Sequence, residues 1–378
     1  MSKQPIHNAA ALDRAFSENN LDALVLRSGR NVAYFTRMLF HFTLGRFQDF
    51  PHTPRPVVCV WPRNGNPTIF ASNIAAIVAK RDSWIEDVRA YTDYAESAYT
   101  LSANCLIDQG LSRGRIGIEL REWSVADWEE FRKALPSAEI IDCSDILTGV
   151  RAIKTDAEIE LFKESVRIQD QAHIDVFSNA RPGMTEKQLH TQMVNRMLEL
   201  GADACITPNG MMQASTNPVT YGGEGEVPVT NGVAVRTDYV SFYEGYPANL
   251  SRMAVMKKPT SEQEHLYGVA LQAHRSAIKM LRAGVKASDV YGCVRASFKA
   301  AGYPTTWGLA GHGVGVWWHQ EEPFITPAEQ RVLAPGMVVC LEPALLGYWH
   351  VQDQFVITEG DPVLLSPQFD TSKLFVMG

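Results

Sequence analysis

The sequence lacks the features that mark several large classes of protein. It has no excess of positive charge, since 35 Lys and Arg against 42 Asp and Glu give a net charge of −7. This balance predicts no basic face for nucleic acid and no polybasic membrane anchor. No apolar run approaches the length of a membrane span, and the first residues lack the positive start and apolar core of a signal peptide. We therefore expect neither nucleic acid nor a membrane as a partner.

Paired cysteines are also missing. The six cysteines are scattered singly along the chain and form no CxxC pair. This spacing argues against a thiolate zinc site and against a disulfide framework, and it is typical of proteins in a reducing compartment. We predict a cytoplasmic protein whose cysteines are small buried apolar residues.

The length and composition are those of a two-domain globular protein. A chain of 378 residues, 46% of them hydrophobic and 20% charged, can bury a core in each of two domains. Short strand-like segments alternate with helical ones as far as residue 150, which predicts an α/β domain over residues 1–150. The predicted strands cover residues 21–26, 56–62, 66–71, 114–120 and 138–143.

A second domain, residues 151–378, is predicted to begin with a long helix. Thr155 and Glu158 form a capping box, and apolar residues recur at helical spacing after it. Two further helices are predicted, one from SEQE at 261–264 to about residue 284 and one from 288 to about 302. Strand-like segments lie around them, at 232–243, 249–256, 337–345 and 351–360. The pattern predicts an α+β domain with helices on one side of an antiparallel sheet.

Polar residues in this domain are candidate site residues. Asp238 and Glu342 each stand in an apolar segment, and Gln352 opens the last long strand. A buried carboxylate requires a partner, so Glu342 is difficult to explain as a core residue. Residues 308–323 read GLAGHGVGVWWHQEEP, with His312 between two glycines and His319 seven positions later. We interpret the glycines as a loop that clears space around the His312 imidazole.

Four segments, in this order, give the chain a family resemblance. They are RAIKTDAEIELF at 151–162, DYVSFYEGY at 238–246, GHGVG at 311–315 and PGMVVCLEPAL at 335–345. Over nearly its whole length the chain resembles the pita-bread family, which comprises aminopeptidase P, prolidase and the metal-free creatinases. The resemblance implies a small α/β N-terminal domain, an α+β pita-bread catalytic domain, hydrolysis of a C–N bond, and dimerisation.

The peptidase members of that family hold two divalent cations with two Asp, one His and two Glu. The resemblance places Asp238, His312 and Glu342 at three of these positions. Asn249 stands at the second Asp position and Gln352 at the second Glu position, and these two positions bridge the ions. Amides carry no charge to hold two mutually repelling cations together. We therefore expect no two-ion centre, while a single divalent metal on the other three residues stays open.

The chain departs from the creatinase branch as well. Thr216 stands at the position of that branch's histidine, and Ser251 stands at the position of its catalytic glutamate. Any acid/base chemistry must therefore come from the titratable residues that remain in the site segments.

Those remaining residues form the predicted catalytic set. His312 is predicted to act as a base near neutral pH. Glu342 is predicted to carry a proton or to attack as a nucleophile, because burial raises the pKa of a carboxyl group. Asp238 is expected to orient the imidazole. His319 matches the family's second histidine, which by resemblance hydrogen-bonds the substrate.

Four further residues are predicted to bind the substrate. The NH₂ groups of Asn249 and Gln352 are expected to donate hydrogen bonds to an oxyanion or a carboxylate. The resemblance also implies that an arginine from the partner's N-terminal domain binds the substrate carboxylate. Arg46 and Arg55 are the two candidates, and an ordinary surface role for either stays open.

Three functions remain open. The first is a metal-independent hydrolase, without a cofactor, that cleaves a C–N bond of a small carboxylated substrate resembling creatine or ectoine. The second is an Xaa-Pro-type metallopeptidase with a reduced metal site, and the third is a catalytically inactive binding protein. We favour the first, acting as a cytoplasmic homodimer, because both bridging carboxylates are missing while the titratable residues are retained.

Overall fold

The structure, a computed structural model, describes residues 4–39, 55–206, 211–217, 224–304 and 307–378. Internal contacts divide the chain into two compact units, Met1–Arg151 and Ala152–Gly378. The division falls one residue beyond the boundary expected from the sequence. Within the described ranges, no helix is both long enough and apolar enough to cross a membrane.

The first unit is built on a mixed sheet. Its strands are β1 (Ala23–Leu26), β2 (Val58–Pro62), β3 (Thr68–Ser72), β4 (Asp87–Tyr91), β5 (Arg115–Ile118) and β6 (Glu139–Asp142). They lie in the order β4-β3-β2-β1-β5-β6, with β2 antiparallel to both neighbours and the other pairs parallel. The central strand β1 reads ALVL and is buried at every residue, as expected of a strand covered on both faces.

Helices alternate with these strands, as the sequence predicts. They are α1 (Ala9–Glu18), α2 (Gly29–Thr36), α3 (Asn73–Asp82), α4 (Ala98–Asp108), α5 (Val125–Ala134) and α6 (Ser144–Ala152). Serine hydroxyls at 28, 72, 97 and 124 cap α2 to α5 by accepting from backbone N–H groups of the first turn. The strand β4 is not among the predicted ones, because DVRAY is charged and half exposed at the edge of the sheet.

The helices of the second unit are α7 (Asp156–Asn179), α8 (Glu186–Glu199), α9 (Ser261–Ile278) and α10 (Ala287–Ala300). Helices α7, α8 and α9 begin with side-chain capping boxes, and α10 begins without a side-chain cap. The capping box predicted at Thr155 and Glu158 is confirmed. The box at α9 consists of Thr260 and Gln263, one residue earlier than predicted, and this helix ends well before residue 284. Helix α8, with its own capping box, is a helix that the sequence reasoning missed.

Short strands make up the rest of the second unit. They are β7 (Ala204–Ile206), β8 (Met212–Ala214), β9 (Ala234–Thr237), β10 (Tyr239–Tyr243), β11 (Tyr246–Leu250), β12 (Met253–Met256), β13 (Gly311–Gly315), β14 (Trp318–Phe324), β15 (Val338–Leu341), β16 (Ala344–Leu345), β17 (Trp349–His350), β18 (Asp353–Val356), β19 (Val363–Leu364) and β20 (Phe375–Met377). Three of their sheets have the orders β11-β10-β7, β20-β12-β9-β8 and β14-β13-β15-β18-β19, and β16 pairs with β17.

The predicted fold class, α/β followed by α+β, is confirmed, but the expected single antiparallel sheet is wrong. The strands separate into several sheets, and β12 runs parallel to β20. The chain leaves its strands where polar residues or proline interrupt the apolar runs: Asp238 separates β9 from β10, and Glu342 with Pro343 separates β15 from β16. The candidate site residues Asp238 and Glu342 therefore lie between strands.

Candidate active site

Five of the predicted site residues come together at the ends of these short strands. Asp238 directly follows β9, Glu342 directly follows β15, and Gln352 directly precedes β18. Asn249 lies in β11, and His312 lies in β13 opposite Cys340 of β15. Contacts of 3.5 Å or less link His312 with Glu342, Gln352 with Asn249, and Asn249 with Asp238.

The glycines around the histidine serve packing rather than an open cavity. The segment GHGVG is strand β13 and not a loop. A Cβ atom on Gly311 would overlap the carbonyl oxygen of Cys340. One on Gly313 would lie 2.6 Å from the carbonyl oxygen of Glu322 on the neighbouring strand. A Cβ on Gly315 would overlap the carboxylate of Glu321. The interpretation that the glycines clear space for the imidazole is therefore wrong, because protein atoms fill that space.

His312 is held as a neutral imidazole with a free lone pair. Its Nδ1 lies 3.0 Å from the carbonyl oxygen of Gly313. A carbonyl only accepts, so Nδ1 carries the hydrogen and Nε2 carries the lone pair. This Nε2 is buried and has no hydrogen-bond partner in the described part of the chain. Burial lowers the pKa of His312 from 6.5 to about 4, so the ring is uncharged at neutral pH.

The carboxyl group of Glu342 faces the His312 imidazole. Its Oε1 lies 3.5 Å from Nε2 of His312, and its side chain is 13% exposed. Burial raises the pKa of Glu342 well above its usual value, the Asp238 carboxylate raises it further, and the Arg236 guanidinium partly opposes both. The raised pKa of Glu342 and the lowered pKa of His312 both favour the proton of the pair on the carboxyl group.

The two amides form a directed hydrogen-bond chain. Nε2 of Gln352 donates to Oδ1 of Asn249 over 2.8 Å. Nδ2 of Asn249 lies 3.2 Å from the carbonyl oxygen of Tyr239 and 3.5 Å from Oδ1 of Asp238. The Tyr239 carbonyl only accepts, which fixes the orientation of the Asn249 amide. Both NH₂ groups thus contact protein oxygens, whereas the sequence predicts that they contact the substrate.

His319 lies beside His312. Its ring centre is 5.9 Å from that of His312, and the two rings are nearly perpendicular, at 89°. Burial lowers the pKa of His319, so this ring is neutral as well. Its place in β14, adjacent to β13, results from the antiparallel pairing of the two strands. The two histidines that the sequence suggests for one site thus lie next to each other, and their roles stay a prediction.

The arginines predicted to bind the substrate belong to the first unit. Arg46 lies outside the described residues. Nε of Arg55 is 3.0 Å from Oδ2 of Asp93, and its guanidinium carbon is 5.6 Å from the ring centre of Tyr94. The binding of a substrate carboxylate by either arginine stays a prediction.

The sequence reasoning missed two buried residues near the acid. Arg236 stands two residues before Asp238 on β9, and its charge influences the pKa of Glu342. Both ring nitrogens of His350 are buried, and neither has a hydrogen-bond partner in the described ranges. Burial lowers the pKa of His350 to about 4. The charged residue inside the apolar segment GVAVRTDYV was an available signal for Arg236, and nothing in the sequence distinguished His350.

A buried ion pair anchors the strand that carries His319. Nζ of Lys154 lies 3.0 Å from Oε1 of Glu321, with side chains 1% and 3% exposed. Glu321 follows His319 by two positions on β14, so the two side chains share a face of the strand. The Lys154 ammonium also lowers the pKa of Glu158, which burial raises to about 7. The Lys154 ammonium thus interacts favourably with two buried carboxylates, those of Glu321 and Glu158.

The residues present do not fit a pair of divalent cations. Asn249 and Gln352, which the sequence resemblance assigns to the bridging positions, are amides, and the Asn249 amide directs its hydrogens at the Asp238 carboxylate. Two carboxylates and one imidazole are also a small donor set for four positive charges. Among the described residues, no three His, Cys, Asp or Glu side chains lie close enough together to hold a metal ion.

The fold and the site together define the class of protein. The domain order, an α/β unit followed by an α+β unit, is the one expected of the pita-bread fold. The model of metallopeptidase family M24 matches residues 160–367, and that of the creatinase/prolidase N-terminal domain matches residues 9–153. Since the first match covers more than half of the chain, the protein belongs to metallopeptidase family M24.

Its relatives are peptidases by name. The uncharacterized peptidase YqhT of Bacillus subtilis (strain 168) is 23% identical over 76% of this chain and 86% of that protein. The Xaa-Pro dipeptidase of Lactobacillus delbrueckii subsp. lactis is 25% identical over 89% of each chain. The structure of X-Pro aminopeptidase from Thermotoga maritima MSB8 superposes with a TM-score of 0.82 at 20% identity, covering 96% of this chain and 100% of the other. The predicted pita-bread fold is confirmed.

Proposed function

We propose that the protein hydrolyses a C–N bond of a small amino-acid-derived substrate by the acid/base chemistry of His312 and Glu342, without a metal-bound step. One observation carries this proposal: the bare Nε2 of a neutral imidazole lies 3.5 Å from a carboxyl group whose pKa is raised well above its usual value. A base and an acid are thus present together: the imidazole is uncharged at neutral pH, and the pKa of the carboxyl group is shifted in the direction that favours its protonated form.

The reaction follows from these two protonation states. Nε2 of His312 accepts a proton from a water molecule as the water oxygen bonds to the substrate carbon. The C–N bond then breaks, and the carboxyl group of Glu342 gives its proton to the departing nitrogen. The imidazolium returns its proton to the Glu342 carboxylate across the short distance between them. Water is consumed, the enzyme is regenerated, and no other reactant is required.

The neighbouring residues support both steps. The Asp238 carboxylate stabilises the imidazolium, since its charge raises the pKa of His312. His319, neutral and next to His312, offers a ring N–H to the oxygen that becomes negative as water adds. The same Asp238 charge keeps the Glu342 proton in place until the leaving nitrogen takes it.

The substrate, the location and the assembly are further parts of the proposal. A small carboxylated substrate, resembling creatine or ectoine, is consistent with a site that holds one acid and one base. Arg46 or Arg55 of a second copy would bind its carboxylate in a homodimer. The six cysteines are free thiols in the described structure, which agrees with a cytoplasmic location.

A second candidate is an Xaa-Pro peptidase. The names of the relatives favour it, among them the Xaa-Pro dipeptidase of Lactobacillus delbrueckii subsp. lactis. This candidate uses the same fold and cleaves the same kind of bond, but it differs in substrate and in its need for metal. Both candidates therefore belong in one experiment.

The test is hydrolysis by protein purified without an affinity metal column and dialysed against a chelator. Creatine-like and ectoine-like compounds and Xaa-Pro dipeptides are incubated with it, and the products are identified by mass spectrometry. Turnover that survives the chelator, and that falls by about 100-fold or more in His312→Asn and in Glu342→Gln, supports the proposal. The exposed His265→Asn variant is the matched control and retains the wild-type rate.

Two results contradict the proposal. Turnover of Xaa-Pro dipeptides that appears only after Mn²⁺ or Zn²⁺ is restored favours the second candidate. Binding of a substrate analogue without turnover of any compound, in folded protein, favours a catalytically inactive binding protein.

A further inference from the structure

We infer that the chain Gln352–Asn249–Asp238 takes the structural place of a metal pair, and that these two amides are what keeps the centre from binding two divalent ions. The inference concerns ion binding, so it stands or falls independently of the proposed activity. It rests on the orientation of two side chains and on the network that fixes them.

The orientation of the Asn249 amide is determined from both sides. Its Oδ1 accepts from Nε2 of Gln352 over 2.8 Å, and its Nδ2 faces the Tyr239 carbonyl oxygen at 3.2 Å. Exchanging the nitrogen and the oxygen would place two lone-pair oxygens against each other at that carbonyl. The amide hydrogens therefore point to the side of the Asp238 carboxylate, where a bridging ligand would have to offer a lone pair.

The backbone around both amides is held rigidly as well. The N–H of Asn249 donates to Oε1 of Gln354 over 2.8 Å. Nη1 of Arg252 donates to the carbonyl oxygen of Gln352 over 2.7 Å. That arginine is fully buried and pairs with Asp170 at 2.8 Å and with Asp353 at 2.9 Å. These contacts of Arg252 and Gln354 oppose the backbone movement that would reorient the amides.

The charges lead to the same conclusion. Two divalent ions bring four positive charges, against which this centre offers the carboxylates of Asp238 and Glu342. Oε1 of Gln352 and Nε2 of His312 are buried acceptors without hydrogen-bond partners in the described structure, but both are neutral. Neutral donors cannot balance the repulsion between two cations a few ångströms apart.

Exchanging one NH₂ group for an oxygen in each of the two amides would therefore complete a donor set for two ions. Asn249→Asp and Gln352→Glu each replace an NH₂ group by an oxygen and leave the shape of the side chain unchanged. The double variant loses the hydrogen-bond chain and gains two negative charges at positions that already converge on Asp238. We expect its affinity for Mn²⁺ to rise by about 100-fold or more.

The experiment measures metal retained after incubation with Mn²⁺ and gel filtration. Wild-type protein is expected to retain far less than one equivalent per chain, and Asn249→Asp/Gln352→Glu about two. The control Gln192→Glu/Asn195→Asp adds the same two charges on the exposed face of α8 and is expected to behave as wild type. Where the double variant does not fold, Gln352→Glu alone is used and is expected to retain about one equivalent.

Two outcomes overturn the inference. Wild-type protein that retains two tightly held ions shows that the amides act as ligands and that the hydrogen-bond chain yields to metal. Folded site variants that retain no more metal than the control show that something other than the two amides excludes the ions. Either result leaves the activity measured in chelator unaffected, so it does not decide the proposed function.

Discussion

The buried pair of Lys154 and Glu321 gives a sharp prediction, because its cation serves more than one carboxyl group. The two charges are 3.0 Å apart, with side chains 1% and 3% exposed. At an effective dielectric constant of about 20, their attraction amounts to about 5 kcal/mol before desolvation is subtracted. Removing one partner of such a pair typically costs about 3–5 kcal/mol, since a buried charge remains uncompensated.

The two single variants should differ in cost. Lys154→Met leaves Glu321 and Glu158 buried without a cation, so it should lower the free energy of unfolding of the second unit by about 4 kcal/mol. Glu321→Gln leaves the ammonium with Glu158, whose pKa it already lowers, and should cost about half as much. The exposed pair of Lys163 and Glu160 is the control, and Lys163→Met should cost less than about 1 kcal/mol.

Urea unfolding measures these costs. The transitions are followed by tryptophan fluorescence and fitted separately where the two units unfold apart. Equal costs for the two variants, or a larger cost for Glu321→Gln, would refute the idea that one cation serves both carboxyl groups. Costs at the level of the exposed control would refute the assignment of a buried ion pair altogether.

Three further predictions follow from the same geometry. kcat/KM should rise with pH as His312 loses its proton near pH 4 and fall again where Glu342 ionises, and a pH–rate profile measures both limbs. The pKa of Glu158 is raised from 4.5 to about 7, so the folded state holds this proton more tightly than the unfolded state does. The free energy of unfolding should therefore fall by up to about 3 kcal/mol as the pH rises from 4.5 to 7. Urea unfolding should show this pH dependence for the wild type and not for Glu158→Gln. Gly315→Ala should destabilise by about 1–3 kcal/mol, because its Cβ would overlap the Glu321 carboxylate, which its ion pair with Lys154 holds in place. Gly308→Ala, which has open space, should be close to neutral, and thermal unfolding compares the two variants.

The sequence predicted the architecture where the local signals were strong. The capping box of Thr155 and Glu158 and the apolar period behind it gave the start of α7 correctly. Apolar runs gave the central strands of the first unit, but the charged edge strand β4 carried no such run. The second unit broke into several sheets because polar residues within apolar runs end strands as well as marking sites, and a periodicity argument does not separate the two effects.

Several candidate site residues suggested by the sequence lie together in the structure, but their detailed geometry was not predictable. The order of the site segments in the sequence suggested that His312, Glu342 and Asp238 belong to one site. The orientation of the Asn249 amide depends on the carbonyl oxygen of Tyr239, ten residues earlier. No sequence pattern encodes this contact. The purpose of the glycines was misread for a similar reason, since the atoms that a Cβ would meet belong to neighbouring strands.

The most direct test of the central claim is the rate of hydrolysis measured against metal occupancy on one preparation. Metal is removed with a chelator and then restored stepwise with Mn²⁺ or Zn²⁺, and both the rate and the bound metal per chain are determined at each step. Acid/base chemistry by His312 and Glu342 predicts that the metal-depleted protein turns over fully and that the rate does not rise with occupancy. A rate that starts at zero and rises in proportion to bound metal would contradict the account.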